Sequence, residues 1–137
     1  MCALEIRQEI FVEILAQARA EAPIEACGIL AGHENHVLEL YKMTNSDQST
    51  DHFMMAPEEQ FAVLKDIRAR GLEMLAIYHS HPETPARPSA EDVRLALTPE
   101  VLYVIVSLQE PAKPQIRGFT IEAEVVAESA VKIIEEN

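Results

Sequence analysis

The spacing of hydrophobic and polar positions changes several times along the chain, and each change marks an element. Over residues 4–21, LEIRQEIFVEILAQARAE, the side chains of Leu4, Ile6, Ile10, Phe11, Ile14, Leu15 and Ala18 fall largely at helical spacing. That predicts one amphipathic helix, ended by Pro23. CGILAG (27–32) is a short apolar run closing on glycine, the pattern of a buried strand. GHEN reads as a turn, and HVLELYKM (36–43) alternates like the second arm of a hairpin. After the polar loop TNSDQSTD, HFMM (52–55) is a short strand candidate. Pro57 suits a first helical turn, so EEQFAVLKDIRARG predicts a helix stopped by Gly71. LEMLAIYHSH (72–81) reads as a strand with histidines at its end, PETPARP as a loop, and SAEDVRLALT as the start of a helix. VLYVIVSL (101–108) is apolar and rich in β-branched residues, the mark of a central strand, and QIRGFTIE is a further strand. The tail AEVVAESAVKIIEEN is ambiguous, with a final strand favoured near residues 130–134. This mixed order predicts an α+β domain, three-layer and αβα-like, with a mixed β-sheet flanked by helices.

Composition narrows the possibilities. The 137 residues fit a single domain, 1–137, with no repeat, linker or low-complexity tract. No apolar run is long enough for a transmembrane helix, and the N-terminus MCALEIRQEI lacks a signal-peptide layout, so the expected location is cytoplasmic, away from membranes. Cys2 and Cys27 are too few for a disulfide framework or a four-cysteine zinc site. A net charge of -12, with 11 Lys and Arg, argues against a nucleic-acid partner, because neutralising phosphates needs a basic face.

The candidate chemistry sits in YHSHPETPARPSAEDV (78–93). Side chains at i and i+2 of a strand point the same way, so His79 and His81 can face one point in space. A tetrahedral zinc with three protein ligands needs one more donor, and Asp92 returns after a ten-residue loop stiffened by prolines. Ser89 and Asp92 also have the spacing of a helix N-cap and an N3 acid. Capping and ligation are compatible, since Ser89 can start the helix whose first turn presents Asp92.

This constellation resembles the JAMM (MPN+) metalloprotease family. Its motif stands here as Glu25 in PIEACGIL, then HSHP at 79–82, then SAED at 89–92, with eleven positions from His81 to Asp92. The compact form looks like the bacterial and archaeal stand-alone members, similar to enzymes that trim the tail of small ubiquitin-like sulfur-carrier proteins. The resemblance implies a cytidine-deaminase-like JAMM fold. It also implies one zinc ion per chain, held by His79, His81 and Asp92, with Glu25 as general base and Ser89 as oxyanion donor. The implied reaction is hydrolysis of an amide bond at the C-terminal Gly-Gly tail of such a partner, bound extended along a sheet edge. Three other readings remain open: a non-catalytic MPN-type scaffold, a RadC-like DNA-associated protein, and a metal-dependent nucleoside or amide hydrolase. Cys27 reads as a small buried residue and Cys2 as exposed and inert. Tyr78 reads as core; His33, His36 and His52 read as surface residues. Asn45 and Ser46 lie in a loop that can approach the cleft. The first helix or a sheet edge could support a homodimer.

Overall fold

The computed structural model describes residues 3–135. Cys2 lies outside them. In chain order the described elements are β1 (Leu4–Arg7), α1 (Gln8–Glu21), β2 (Cys27–His33), β3 (His36–Met43), α2 (Pro57–Ala69) and β4 (Glu73–His81). They continue with α3 (Ala90–Leu95), β5 (Leu102–Ser107), β6 (Gln115–Glu122), β7 (Val125–Ser129) and β8 (Val131–Ile134). The strands form one mixed sheet in the order β7-β6-β5-β4-β2-β3-β1-β8. β4 and β5 run parallel, as β1 does to β3 and β8; the other neighbours are antiparallel.

The two-residue period of the strands sorts side chains into two cores. Leu30 of β2, Tyr78 of β4, and Val104 and Val106 of β5 face α1, which contributes Ile10, Ile14 and Ala18. Cys27 and Ile29 face the other way, towards Met55 and Ile67 of the α2 layer. Tyr103 and Ile105 face Ala86 and Val93 beside α3. Tyr78 is a core residue, and its hydroxyl donates to Gln17 Oε1 at 2.6 Å. Gly28 makes room for that ring: a Cβ there would lie 2.3 Å from its atoms.

Several expectations are corrected. The helix expected over 4–21 begins only at Gln8, because residues 4–7 pair in parallel with β8, Leu4 opposite Val131 and Ile6 opposite Ile133. HFMM is not a strand; its backbone is taken up by Asn45 and Ser46, with Met54 N donating to Asn45 Oδ1 at 3.2 Å and Met54 O accepting from Ser46 N at 2.8 Å. The final strand forms at 131–134, and a further strand, β7, precedes it. β5 is interior rather than central, third from the β7 edge. Among the described residues, no helix is long and apolar enough to cross a membrane.

Candidate metal centre

Three elements meet at the C-terminal end of β4. His79 and His81 project from the face opposite α1, as their i, i+2 spacing requires. Glu25 comes from the segment entering β2, where Cys27 is registered against His79. Asp92 comes from the first turn of α3. All four are buried, and one ligand atom from each lies within 4.8 Å of the others.

Within this group three atoms form a tight triangle. Asp92 Oδ2 is 2.9 Å from His81 Nε2 and 3.1 Å from His79 Nε2, and the two Nε2 atoms are 3.1 Å apart. His81 Nδ1 donates to the Pro85 carbonyl at 2.8 Å, which turns the Nε2 lone pair of the neutral ring towards the triangle. Phe53 sets the plane of His79, stacking on it with ring centroids 4.7 Å apart. Burial pulls the His79 imidazole below its usual range, so this ring is neutral and available as a ligand. Burial also lowers His81, but hydrogen bonds to Asp92 and to Pro85 outweigh it and raise that group. For Asp92 burial works upward; the two histidines overcome it and hold the carboxyl well below the carboxylate range.

Asp92 carries a second duty. Ser89 N donates to Asp92 Oδ2 at 2.9 Å, and Asp92 N donates to Ser89 Oγ at 3.0 Å, the reciprocal capping box expected of SAED. The cap fixes the carboxylate that the histidines share. With its oxygen accepting from Asp92 N, the Ser89 hydroxyl keeps its own proton to donate elsewhere. The proline loop is pinned beneath: Ser107 Oγ donates to the Thr84 carbonyl, Leu108 N donates to His81 O at 3.0 Å, and Ala86 is buried.

Glu25 Oε1 is buried without a hydrogen-bond partner. Burial is the main reason that the Glu25 carboxyl is pushed up to about 8; nearby His81 opposes the rise and Asp92 adds to it. A lone-pair triangle with an unpartnered buried carboxyl beside it, which a nearby positive charge would help to ionise, fits a divalent cation. Donors about 2.0–2.2 Å from one zinc ion lie roughly 3.3 Å apart, close to the separations here. The donor set, two imidazoles and one carboxylate, suits zinc.

The backbone around Glu25 is held from three sides by residues whose part the sequence did not reveal. Glu25 N donates to Ser49 O at 3.0 Å, and Glu25 O accepts from Asn45 Nδ2 at 3.0 Å. The next amide, Ala26 N, donates to Ser80 Oγ at 2.8 Å. Ser80 is the residue between the two histidines, and Asn45 is buried at 3 % exposure. A polar residue inside a strand end and an asparagine in the loop just after β3 were the available signals.

The other candidates sort as expected. Cys27 is fully buried, and burial pushes its thiol up to about 12. His52 lies on the surface between Asp47 and Asp51, 2.9 Å from each, and those carboxylates raise its pKa against a small opposing effect of burial. His36 pairs with Glu5 at 3.0 Å, and His33 is exposed at the end of β2. None of these three histidines enters the buried cluster.

A mixed sheet carrying two histidines, a shared carboxylate and a second carboxylate in one buried cluster defines a metal-dependent hydrolase class. Residues 7–121 match the Prok-JAB family, the prokaryotic homologs of the JAB domain, and the chain belongs to that family. It is 34% identical over 139 residues to a CysO-cysteine peptidase of Mycobacterium tuberculosis, covering 97% of this chain and 92% of that one. A desampylase of Pyrococcus furiosus is 31% identical over 97 residues, covering 71% and 69%. Among solved structures, protein DSY2949 from Desulfitobacterium hafniense superposes with a TM-score of 0.89 at 45% identity, covering 96% of this chain and 93% of that one. The JAB1/MPN domain protein AF2198 from Archaeoglobus fulgidus shares the fold, with a TM-score of 0.65 at 20% identity over 98% of this chain and all of that one.

Proposed function

We propose that this chain is a zinc peptidase that hydrolyses the amide bond following the Gly-Gly tail of a small ubiquitin-like sulfur-carrier protein. The observation that carries the reading is the triangle of His79, His81 and Asp92 with the unpartnered Glu25 carboxyl beside it. Relatives covering most of the chain are named for cleavage of CysO-cysteine and for desampylation, which supports the substrate class. The non-catalytic scaffold reading loses its ground, since such a chain has no need to bury four convergent donors.

His79, His81 and Asp92 would hold the ion, which when bound supplies a Lewis acid able to lower the pKa of water from 15.7 towards about 7. Glu25 takes a proton from the attacking water and passes it to the departing amine. A positioned base of this kind contributes about 10² to 10⁴ in rate. The Ser89 hydroxyl donates to the oxygen of the attacked carbonyl as it gains charge; losing one such donor costs roughly 2.7–4 kcal/mol. The burial of His79, His81, Asp92 and Glu25 lowers the local dielectric and strengthens both effects.

The test joins elemental analysis to cleavage of a sulfur-carrier domain bearing one cysteine after its Gly-Gly tail. The expected result is one zinc per wild-type chain, lost in Asp92→Ala. Glu25→Gln should retain the ion and lose cleavage by about 10² to 10⁴. A folded wild type that takes up no zinc when supplied with it, or a Glu25→Gln variant with full activity, would overturn the reading.

A further inference from the structure

Beside the metal centre lies an apolar cavity of about 180 Å³, lined at its head by His79 and Asp92 and deeper by Ile77, Tyr103, Ile105 and Ile121. The proposed reaction gives it no task, because a glycine pair has no side chain to fill it. We propose that it is a specificity pocket for the apolar side chain of the residue immediately preceding the Gly-Gly pair, an inference that rests on the function proposed above.

The direction follows from the chemistry. A carbonyl carbon under attack carries three groups: its oxygen, the departing nitrogen and the acyl chain. The oxygen faces Ser89, and the nitrogen must stay within reach of the Glu25 carboxyl that protonates it. Glu25 enters from the β2 side of His79. On the sheet the cavity lies over β4, β5 and β6, with no β2 residue in its lining, and Phe53, Met54, Met55 and Gln60 wall it on the α2 side. The acyl chain therefore leaves towards the cavity. Two extended residues span roughly 7 Å, so the third residue from the cut is the first to offer a side chain there.

Size and polarity select the occupant. A cavity of about 150 Å³ lined by aliphatic residues holds a benzene ring, so this one admits Leu, Met or Phe. Beyond His79 and Asp92 at its head, Gln60 Nε2 donates to Met55 O at 2.8 Å and the Tyr103 hydroxyl accepts from Thr98 N at 3.0 Å, and among the described residues no lysine or arginine lines the cavity. An acidic side chain there would find no cation to pair with and would face the Asp92 carboxylate. Its mouth is apolar as well, with Leu97 84% and Met54 44% exposed, surface that a bound tail would cover.

The experiment compares zinc-loaded protein on acetyl-X-Gly-Gly-Cys peptides with Leu, Ala or Asp at X. The expected kcat/KM falls from Leu to Ala to Asp, with Leu over Asp by roughly 10- to 100-fold. Leu97→Lys, at an exposed position where folding is not at stake, should lower the Leu peptide and raise the Asp peptide, narrowing that ratio. Equal rates for all three peptides would overturn the pocket and leave the proposed function standing. A second measurement does not depend on cleavage. Acetyl-Leu-Gly-Gly and acetyl-Asp-Gly-Gly are titrated into protein with labelled isoleucine methyls. The Leu peptide should shift Ile77, Ile105 and Ile121 and bind at least tenfold more tightly. Methyl shifts without cleavage would sink the peptidase reading and keep the pocket; no differential shift would sink the pocket.

Discussion

Ser80 offers a way to separate holding the metal from aiming the base. Its side chain lies on the face of β4 opposite the two histidines, and its Oγ accepts from Ala26 N at 2.8 Å. Ser80 N in turn donates to Ala26 O at 2.9 Å, so the residue clamps the peptide that follows Glu25. Ser80→Ala removes the acceptor and leaves a buried amide without a partner, at a site only 1% exposed. An orphaned buried donor costs about 1–3 kcal/mol. For a chain of this size that lowers Tm by roughly 3–10 °C. The catalytic effect should be larger than the stability loss suggests, because a base displaced by about 1 Å can cost up to 10²-fold in rate. The expected outcome is kcat reduced by roughly ten- to a hundredfold, with KM and zinc content unchanged. Thermal melts, elemental analysis and steady-state cleavage of a Gly-Gly-tailed substrate read the three quantities separately. A variant that melts lower yet keeps kcat within twofold would refute the positioning role; one that melts as wild type would refute the hydrogen-bond argument itself.

Asn45→Ala should be more damaging to folding, since the amide supports Glu25 O, His52 O and the amides of Asp47 and Met54; about 3 kcal/mol is expected, read by denaturant unfolding, with early proteolysis in the 46–54 loop. Cys27 is buried and its thiol is pushed up to about 12, so iodoacetamide at pH 8 should leave it unmodified in the native protein and label it after unfolding, as peptide mass spectrometry would show. The metal-free protein should lose stability as pH rises from about 4.5 to 8. Glu25 is raised to about 8, mainly by burial, so over that window the folded state holds a proton that the unfolded state releases. The contribution is complete below the unfolded value and gone above the folded one; it is on the order of a few kcal/mol. Denaturation of wild type and Glu25→Gln at pH 5 and pH 8 checks it, and an equal pH response in both would exclude Glu25 as the source.

What the sequence disclosed and what it concealed follow one physical distinction. The residues of the buried cluster were legible because metal chemistry limits residue type and strand or helix geometry limits spacing. Histidines at i and i+2 must share a face, and Ser89 with Asp92 must lie within one helical turn. Elements decided by distant pairing were not legible. Leu4 and Ile6 fit a helical pattern as well as a two-residue period, and distant pairing selects the strand, with β3 on one side and, more than a hundred residues away, β8 on the other. β7 gave no signal either, because its residues are nearly all exposed. The hairpin before it turns through Ala123 and Glu124 at positive φ (49° and 66°) rather than through the Asn-Gly or Asp-Gly pair that marks such turns. The supports of Glu25 fall between these cases. Ser80 and Asn45 are ordinary polar residues whose importance comes from where their hydrogen bonds end, at the backbone of Glu25, the proposed general base, and of Ala26 after it. A short motif can therefore name the residues that converge on one buried point, while the geometry that positions the neighbouring Glu25 carboxyl is written in residues the motif does not include.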